Sequence, residues 1–527
     1  MFPAGTAPVP GSAHERYVAD RLAEVGRWGT TTLAQRVAEH ARHNPDGLAY
    51  IAGDDRLTWR DFDRRADRLA GYLAASGFAR GDRLGVLLPD GVEVHIAYLA
   101  AMRAGVIVVG LGPRAGRQEI RHLLTVAGAT GLLSQPTHRG ESVADLVDGL
   151  GLRLLSYVEG EPIGPGRALG IGEIHLLNGT SGTTGMPKCV VHNQNRWFYY
   201  HELAMEAGAF TADDVFLTVI PAPYGFAQWT ANFTPALVGA ATVVMPKFSA
   251  EEALALIERE RVTVLCCVST QFIMMLNSPS AQTRDLTSLR CMFTGGEAVP
   301  FERAGEFERR TGAQVLQFFG SNETGALSRT RTTDSLDARL RTAGAVIEDM
   351  RVRLFDEDGQ DVTAKGGPGQ AACAGPATCL GYFNDPEAND RLFTADGWML
   401  TGDICTIDDE GYLRVVDRKS DFIIRGGKNV SAAAVEDQVG SHPAVAMVAA
   451  VAVPDPVYGE RVCVFVVPRP GQTVDLDSIR AHLKDRGTSP ETWPERLELV
   501  DDLPRGSGGK VAKAELRARL RGGSRSA

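Results

Sequence analysis

The chain has no uninterrupted apolar run long enough to span a bilayer, so no membrane partner is expected. It also lacks an excess of positive charge. Its 55 Lys and Arg stand against 65 Asp and Glu, a formal net charge of -10. No nucleic-acid partner is expected from that balance, and an anionic ligand must be held by local basic groups and backbone dipoles. The eight cysteines show no paired metal-ligand spacing, and Cys266 and Cys267 are adjacent, which makes no zinc knuckle. Reduced, buried thiols are the expectation, and with them a cytoplasmic location. The first ten residues lack a basic stretch followed by an apolar core, so they do not read as a secretory signal. Residues 1–29 are expected to form a flexible arm, and the C-terminal Arg-Gly-Gly-Ser-Arg-Ser-Ala to fray. No internal repeat is evident. What remains, at 44% hydrophobic and 23% charged over 527 residues, is a globular composition too long for one core.

What is present is concentrated in short polar loops. Asn178-Gly-Thr-Ser-Gly-Thr-Thr-Gly-Met-Pro-Lys188 holds three glycines and four hydroxyl residues, closed by Pro187 and Lys188. An apolar run at 174–177 precedes it and Val190-Val191 follows, the pattern of a strand entering a mobile loop. Such a loop suits a polyphosphate. Gly182 and Gly185 let backbone N–H groups approach the anion, Thr180, Ser181, Thr183 and Thr184 donate to its oxygens, and Lys188 adds a positive charge. Met186 and Pro187 separate Gly185 from Lys188, so this is not the common Gly-Lys-Ser/Thr nucleotide loop. The glycine spacing also differs from the dinucleotide fingerprint.

Around this loop the pattern is strand, helix, strand. The spacing of Phe62, Ala66, Leu69 and Leu73 predicts a helix over 59–73, with Asp61 placed to cap its first turn. A buried helix is expected over 92–102. Strands are expected at 83–88, 105–109, 215–219, 241–245, 262–268 and 289–293. This is the texture of an α/β fold with a mostly parallel sheet under helices. After Asp349 short strands alternate with acidic and Gly turns, as at 350–355 and 411–416, which reads as a small β-rich subdomain. A compact α+β tail follows, with helices at 432–438 and 476–484 and strands at 445–453 and 462–468. The boundaries expected are a large N-terminal domain over 30–417, a hinge at 418–421 and a small C-terminal domain over 422–527.

The loop at 178–188 resembles the phosphate loop of the adenylate-forming enzymes, which include acyl- and aryl-CoA ligases, peptide-synthetase adenylation domains and luciferases. Further motifs follow in that family's order. Phe319-Gly-Ser-Asn-Glu-Thr-Gly325 resembles its aromatic-Gly-x-Thr-Glu segment. The resemblance implies that Phe319 stacks on adenine beside Gly320 and that Glu323 binds Mg²⁺, which takes oxygen ligands and phosphates together. Asn322 stands where the family usually has Thr. Its amide can donate to phosphate, with altered placement of the α-phosphate. Phe293-Thr-Gly-Gly-Glu-Ala298 resembles the segment at the adenine edge, which brings in Gly296, Glu297 and Ala298. Trp398-Met-Leu-Thr-Gly-Asp403 resembles the segment whose Asp accepts from both ribose hydroxyls, and Arg418 the Arg that contacts the ribose. Ser420 replaces the usual hinge Asp or Lys. Gly426-Gly-Lys-Asn429 resembles the loop along the pantetheine tunnel, with Gly427 at the thiol arm and Asn429 near AMP. Lys510 in Leu503-Pro-Arg-Gly-Ser-Gly-Gly-Lys510 resembles the C-terminal catalytic lysine, a fixed cation between carboxylate and α-phosphate. Lys513 matches no catalytic position and is expected on a helix surface.

The resemblance implies an AMP-forming acid–thiol ligase with a mobile small domain. A carboxylate attacks the α-phosphorus of ATP, Mg²⁺ assists, and the thiol of coenzyme A or of a carrier-protein phosphopantetheine displaces AMP. Lys510, Glu323 and Thr180 are its expected catalytic residues. The acyl pocket is expected in 220–229, with Tyr224, Gly225, Phe226 and Trp229 against Thr270, Gln271 and Thr294. The aromatics there suggest an aromatic, cyclic or medium-sized acid. Two other readings stay open: ATP-dependent activation of nitrite for diazotisation of an aryl amine, and a nucleotide-binding scaffold without activity. Oligomeric state, including a homodimer, is also open.

Overall fold

The computed structural model describes residues 7–24, 27, 29–164, 166–180, 186–297, 299–425, 428–506 and 509–522. Parallel strands buried on both faces must be apolar throughout, and the segments expected to be strands have that character. They build two sheets. In the larger, nine-stranded sheet the central strands run Gln314–Ser321, Cys291–Gly295, Val264–Cys266, Val215–Thr218, Ala241–Val244 and Leu48–Ala52, all parallel. Antiparallel strands close its edges. The six-stranded sheet orders Lys188–Asn193, Ile174–Thr180, Ile107–Gly110, Arg83–Leu87, Gly131–Ser134 and Arg153–Leu155. Only its first strand runs antiparallel to its neighbour. The helix Val92–Ala104 is apolar on nearly every side and buried along most of its length, as a helix enclosed by a core must be. It ends at Gly105, whose φ of +74 suits the left-handed cap, so the next strand starts at Ile107 and not at 105.

The helix expected over 59–73 spans Trp59–Ala75, and its cap is Thr58, not Asp61. The Thr58 hydroxyl accepts from the Asp61 N–H at 3.2 Å, which puts Asp61 in the first turn. The β-rich subdomain is the antiparallel sheet Arg353–Phe355, Gly369–Cys373, Met399–Ile407 and Leu413–Arg418. The tail is a five-stranded sheet built on the long hairpin Val445–Asp455 and Gly459–Pro468, covered by Ala432–Gly440, Leu476–Asp485 and Lys513–Gly522. Lys513 is not a surface charge. Its Nζ lies 2.8 Å from a Glu436 carboxylate oxygen, both side chains being mostly buried. All eight cysteines are buried and unpaired. Among the described residues no helix is long and apolar enough to cross a membrane.

The N-terminal segment departs from the loose arm expected over 1–29. Residues Ala13–Ala23 form a helix capped by Ser12, with Tyr17 and Val18 buried. Burying an aromatic ring is what fixes an otherwise polar helix. Tyr17 packs on Phe393 with ring centres 4.5 Å apart, and its hydroxyl donates to Thr378 and, at 3.0 Å, to the Cys379 carbonyl. His14 bonds the Leu380 carbonyl at 2.8 Å and Arg21 donates to the Pro376 carbonyl at 2.6 Å. The helix therefore braces the chain at 376–380. Tyr17→Ala is expected to cost about 3 kcal/mol, the scale of a lost buried ring, seen as a lowered midpoint in scanning calorimetry. An unchanged midpoint would mean that this helix merely rests on the surface.

Candidate functional site

The strands Ile174–Thr180 and Lys188–Asn193 pair with Thr180 opposite Lys188, so the intervening loop leaves the sheet at that point. Five residues expected to bind phosphate, Ser181, Gly182, Thr183, Thr184 and Gly185, lie outside the described residues, as do Ala298 and Gly427. Lys188 is held from the other side. Its Nζ stands 4.7 Å from the centre of the Tyr382 ring, a cation over an aromatic face. The Tyr382 hydroxyl donates to Glu323 Oε1 at 2.9 Å. A phenol thus sits between cation and carboxylate. Burial drives the Tyr382 pKa far up, with the Glu323 charge adding to it, so the phenol stays a donor. Tyr382 is positioned because its segment pairs with the strand carrying Lys188: Val191 N–H donates to the Gly381 carbonyl and Phe383 N–H to the Cys189 carbonyl. The motif search missed Tyr382, since a Tyr after a Gly carries no signal of its own.

Glu323 sits in the turn joining Gln314–Ser321 to Gly325–Arg329. Ser321 Oγ accepts from the Glu323 and Thr324 N–H groups at 3.2 and 3.1 Å, which sets the turn. Gly320 is required there because a Cβ would overlap the Gly325 carbonyl. Phe319 is half-buried in the first strand, opposite Ser328. Asn322 is also half-buried. Its Nδ2 donates to Asn178 Oδ1 at 2.7 Å, which engages one of the two N–H donors expected at the phosphate.

Asp403 and Arg418 are direct cross-strand partners in the subdomain sheet, and Arg418 Nε lies 3.2 Å from Asp403 Oδ1. That register explains why two motifs apart in sequence serve one spot. Burial raises the Asp403 carboxyl pKa; Arg418 and Lys510 oppose that rise. Lys510 completes the group. A Cβ at Gly296 would lie 2.7 Å from Lys510 Nζ and would push the end of that flexible side chain aside, while the Gly296 φ of +80 is what calls for glycine. Burial and the nearby Arg418 lower the Lys510 pKa, while Glu297, Asp403 and Glu323 raise it. Lys510 from the small domain thus stands among Gly296, Glu297, Glu323, Asp403 and Arg418 from the large one. Asn429 is exposed on the short strand Lys428–Val430, opposite Ile424.

The acyl segment divides. Tyr224, Gly225 and Phe226 begin a helical stretch that continues through the π-turns of Gln228–Phe233. A Cβ at Gly225 would come 2.5 Å from Asn322 Oδ1. Trp229 and Thr294 lie behind this in the core, with the Trp229 ring edge-on to Phe318 at 4.4 Å. Thr270 donates from its N–H and its hydroxyl to Glu297 Oε2, each at 3.1 Å. Gln271 donates to the Val219 carbonyl at 2.9 Å. Beneath the segment sits Asp90, which sequence reading passed over: its Oδ1 accepts from the Ala222 N–H at 2.8 Å. No group of three or more His, Cys, Asp or Glu gathers into a metal cage among the described residues. A lone carboxylate such as Glu323 fits an ion shared with phosphates, not one caged by protein.

Residues 37–383 match the model of the AMP-binding enzyme family, and 434–510 match that of the AMP-binding enzyme C-terminal domain. The 2-hydroxy-7-methoxy-5-methyl-1-naphthoate–CoA ligase of Streptomyces carzinostaticus is 32% identical, with 98% of this chain and 97% of that ligase covered. The salicyl-AMP ligase/salicyl-S-ArCP synthetase of Mycobacterium tuberculosis is also 32% identical, covering 94% of this chain and 93% of its own. ATP-bound MatB from Rhodopseudomonas palustris superposes with a TM-score of 0.83 at 26% identity, covering 93% of this chain and 99% of that one. With both of its domains matched, the chain belongs to the AMP-binding enzyme family and is an AMP-forming enzyme of the acid–CoA ligase kind.

Proposed function

We propose that this enzyme activates an aryl carboxylic acid with ATP and passes the acyl group to the thiol of coenzyme A. The observation that carries this reading is the seat of Lys510 against Gly296 within reach of Glu297, Asp403 and Glu323. A carboxylate oxygen of the acid forms a bond to the α-phosphorus as the bond to pyrophosphate breaks. Lys510 lies where negative charge builds and acts as a fixed cation, since no proton has to move. Asp403 accepts from the ribose hydroxyls with Arg418 holding its other side, and Phe319 stacks on adenine. Thr180 and Lys188 hold the phosphates at the two ends of their loop. Glu323 would hold Mg²⁺, which when bound neutralises phosphate charge. In the second half the thiol sulfur attacks the acyl carbon and AMP leaves.

For that half the small domain, 422–527, swings about 418–421 and withdraws Lys510. Part of its contact with the large domain is weak: the Arg486–Glu302 pair is 3.7 Å apart and half-exposed on both sides, worth little in water. The aryl class is supported by the two aryl-acid relatives and by the aromatic walls at Tyr224 and Phe226. The mycobacterial relative, named for a carrier-protein product, supports a second reading in which the acceptor thiol is a phosphopantetheine. Running the second half with coenzyme A and with a carrier protein separates the two.

Lys510→Ala is expected to slow acid-dependent ATP–pyrophosphate exchange by about 10²-fold or more, while thioester formation from supplied aryl-adenylate continues. Exchange at the wild-type rate would remove Lys510 from the reaction. Gly296→Ala pushes on the same amine and should cut exchange by about tenfold or more, together with a lowered thermal midpoint from an alanine held at a φ of +80; wild-type exchange in the folded variant would show that the amine simply moves aside. The pH profile offers a further test. Burial lifts the Asp90 carboxyl from its ordinary value to about 6. A carboxyl whose folded pKa is raised stabilises fully below its unfolded value, and this contribution is lost as pH climbs through about 6. The wild-type midpoint should therefore fall relative to Asp90→Asn between about pH 4 and pH 6, and parallel profiles would refute that burial.

A further inference from the structure

Arg196 is fully buried, and among the described residues it pairs with no carboxylate. It meets instead a chain of neutral groups. Its Nη1 reaches His192 Nδ1 at 2.6 Å and donates to the Asn322 backbone carbonyl at 3.0 Å, and its Nη2 reaches the Tyr200 hydroxyl at 3.3 Å. A guanidinium only donates, so His192 Nδ1 must carry the lone pair and Nε2 the proton. Burial and the Arg196 charge hold the His192 pKa well below its ordinary value, which keeps the ring in that one neutral form. Nε2 lies 2.7 Å from Asn178 Oδ1, which is thereby the acceptor. The far side of Asn178 agrees independently, because its Nδ2 donates to the Pro223 carbonyl at 2.7 Å. With Asn178 fixed from two ends, the Asn322 atom 2.7 Å from its oxygen has to be nitrogen. A flipped Asn322 would set oxygen against oxygen there. The Asn322 side-chain oxygen, Oδ1, receives only a longer contact from Asn178 Nδ2 at 3.4 Å and lies beside Gly225, where the missing side chain makes room for it.

We propose that Asn322 is a specificity-determining residue. Its Oδ1, aimed by Arg196, His192 and Asn178, accepts a hydrogen bond from a hydroxyl or amino group on the acid. The enzyme's substrate is then an aryl acid bearing such a donor. Asn178, His192 and Arg196 act through Asn322 and are positioning residues. The inference rests on the aryl-acid reading above and sharpens it. A half-buried acceptor whose internal donor stands as far off as 3.4 Å gains from a donor on the acid, and an acid without one forfeits more than a missing methylene would.

The test is ATP–pyrophosphate exchange with benzoate, the three monohydroxybenzoates, the three aminobenzoates and the methoxy counterparts of the hydroxy acids. The best donor-bearing acid should exceed benzoate, and where it is a hydroxy acid its methoxy counterpart too, by at least about tenfold in kcat/KM. Asn322→Ala should shrink that ratio to about threefold or less, and Asn178→Ala should shrink it too. A merely structural role would lower all acids together and keep the ratio. Equal rates for donor-bearing and donor-free acids in the wild type, or a ratio unchanged in Asn322→Ala, would overturn the inference and leave the aryl-acid reading standing. Exchange with none of these acids, while ATP still binds, would overturn both.

Discussion

A lysine amine taken out of water has to be kept charged by something, and here three carboxylates from three separate segments do it. Glu297, Asp403 and Glu323 all raise the Lys510 pKa against burial and against Arg418. The rest of the site is arranged around that balance. Asp403 is itself shared, because Arg418 and Lys510 both offset the desolvation of its carboxyl. Glu297 is held by Thr270, so its charge is shared with two other donors. The amine is attracted to this place without being neutralised by one partner, as the fixed cation proposed above requires.

The same separation recurs on the phosphate side. Lys188 and Glu323 would quench each other if they met, and Tyr382 stands between them, its face to the cation and its hydroxyl to the carboxylate. That geometry needs the 376–383 segment in place. The segment is paired to the strand of Lys188 on one side and clamped by His14, Tyr17 and Arg21 of the N-terminal helix on the other. Packing at the far end of the chain thus reaches the ligand-facing charges through two steps of contact.

Much of this was legible in the sequence, for a physical reason. A loop suited to wrapping an anion needs glycine, hydroxyls and a cation in close succession, which is why Asn178 to Lys188 stands out as a candidate, and the Gly turns around Asp403 and Lys510 are what draw attention to two residues that the fold then brings together. Parallel strands were legible because burial on both faces forces an unbroken apolar run. What escaped are groups whose meaning is created by tertiary neighbours. Tyr382, Asp90 and Arg196 belong to no motif that names a chemistry, and only the folded chain sets them against Lys188, the Ala222 N–H and His192. The N-terminal helix escaped because a polar sequence conceals one tyrosine that is buried. Lys513 escaped because a cation at the start of a helix looks solvated until Glu436 is placed opposite it. Asp61 was misread as a cap because Thr58, three residues before it, competes for the same turn and wins with its hydroxyl.

The hinge and the Lys510 loop can be treated as one mechanical piece. Lys510 precedes the helix Lys513–Gly522 by a few residues, and that helix is pinned twice. Lys513 holds Glu436 on the helix Ala432–Gly440, and Arg517 holds Asp421 in the expected hinge at 2.7 Å. The first helix of the small domain in turn leans on the last strand of the large one, where Ser431 donates to the Val416 carbonyl at 2.9 Å and Asp417 accepts from the Ala433 N–H at 3.4 Å. These contacts tie residues 417–421 to the helix that follows Lys510. The charge that ties this segment to the helix is on Asp421, the residue after Ser420.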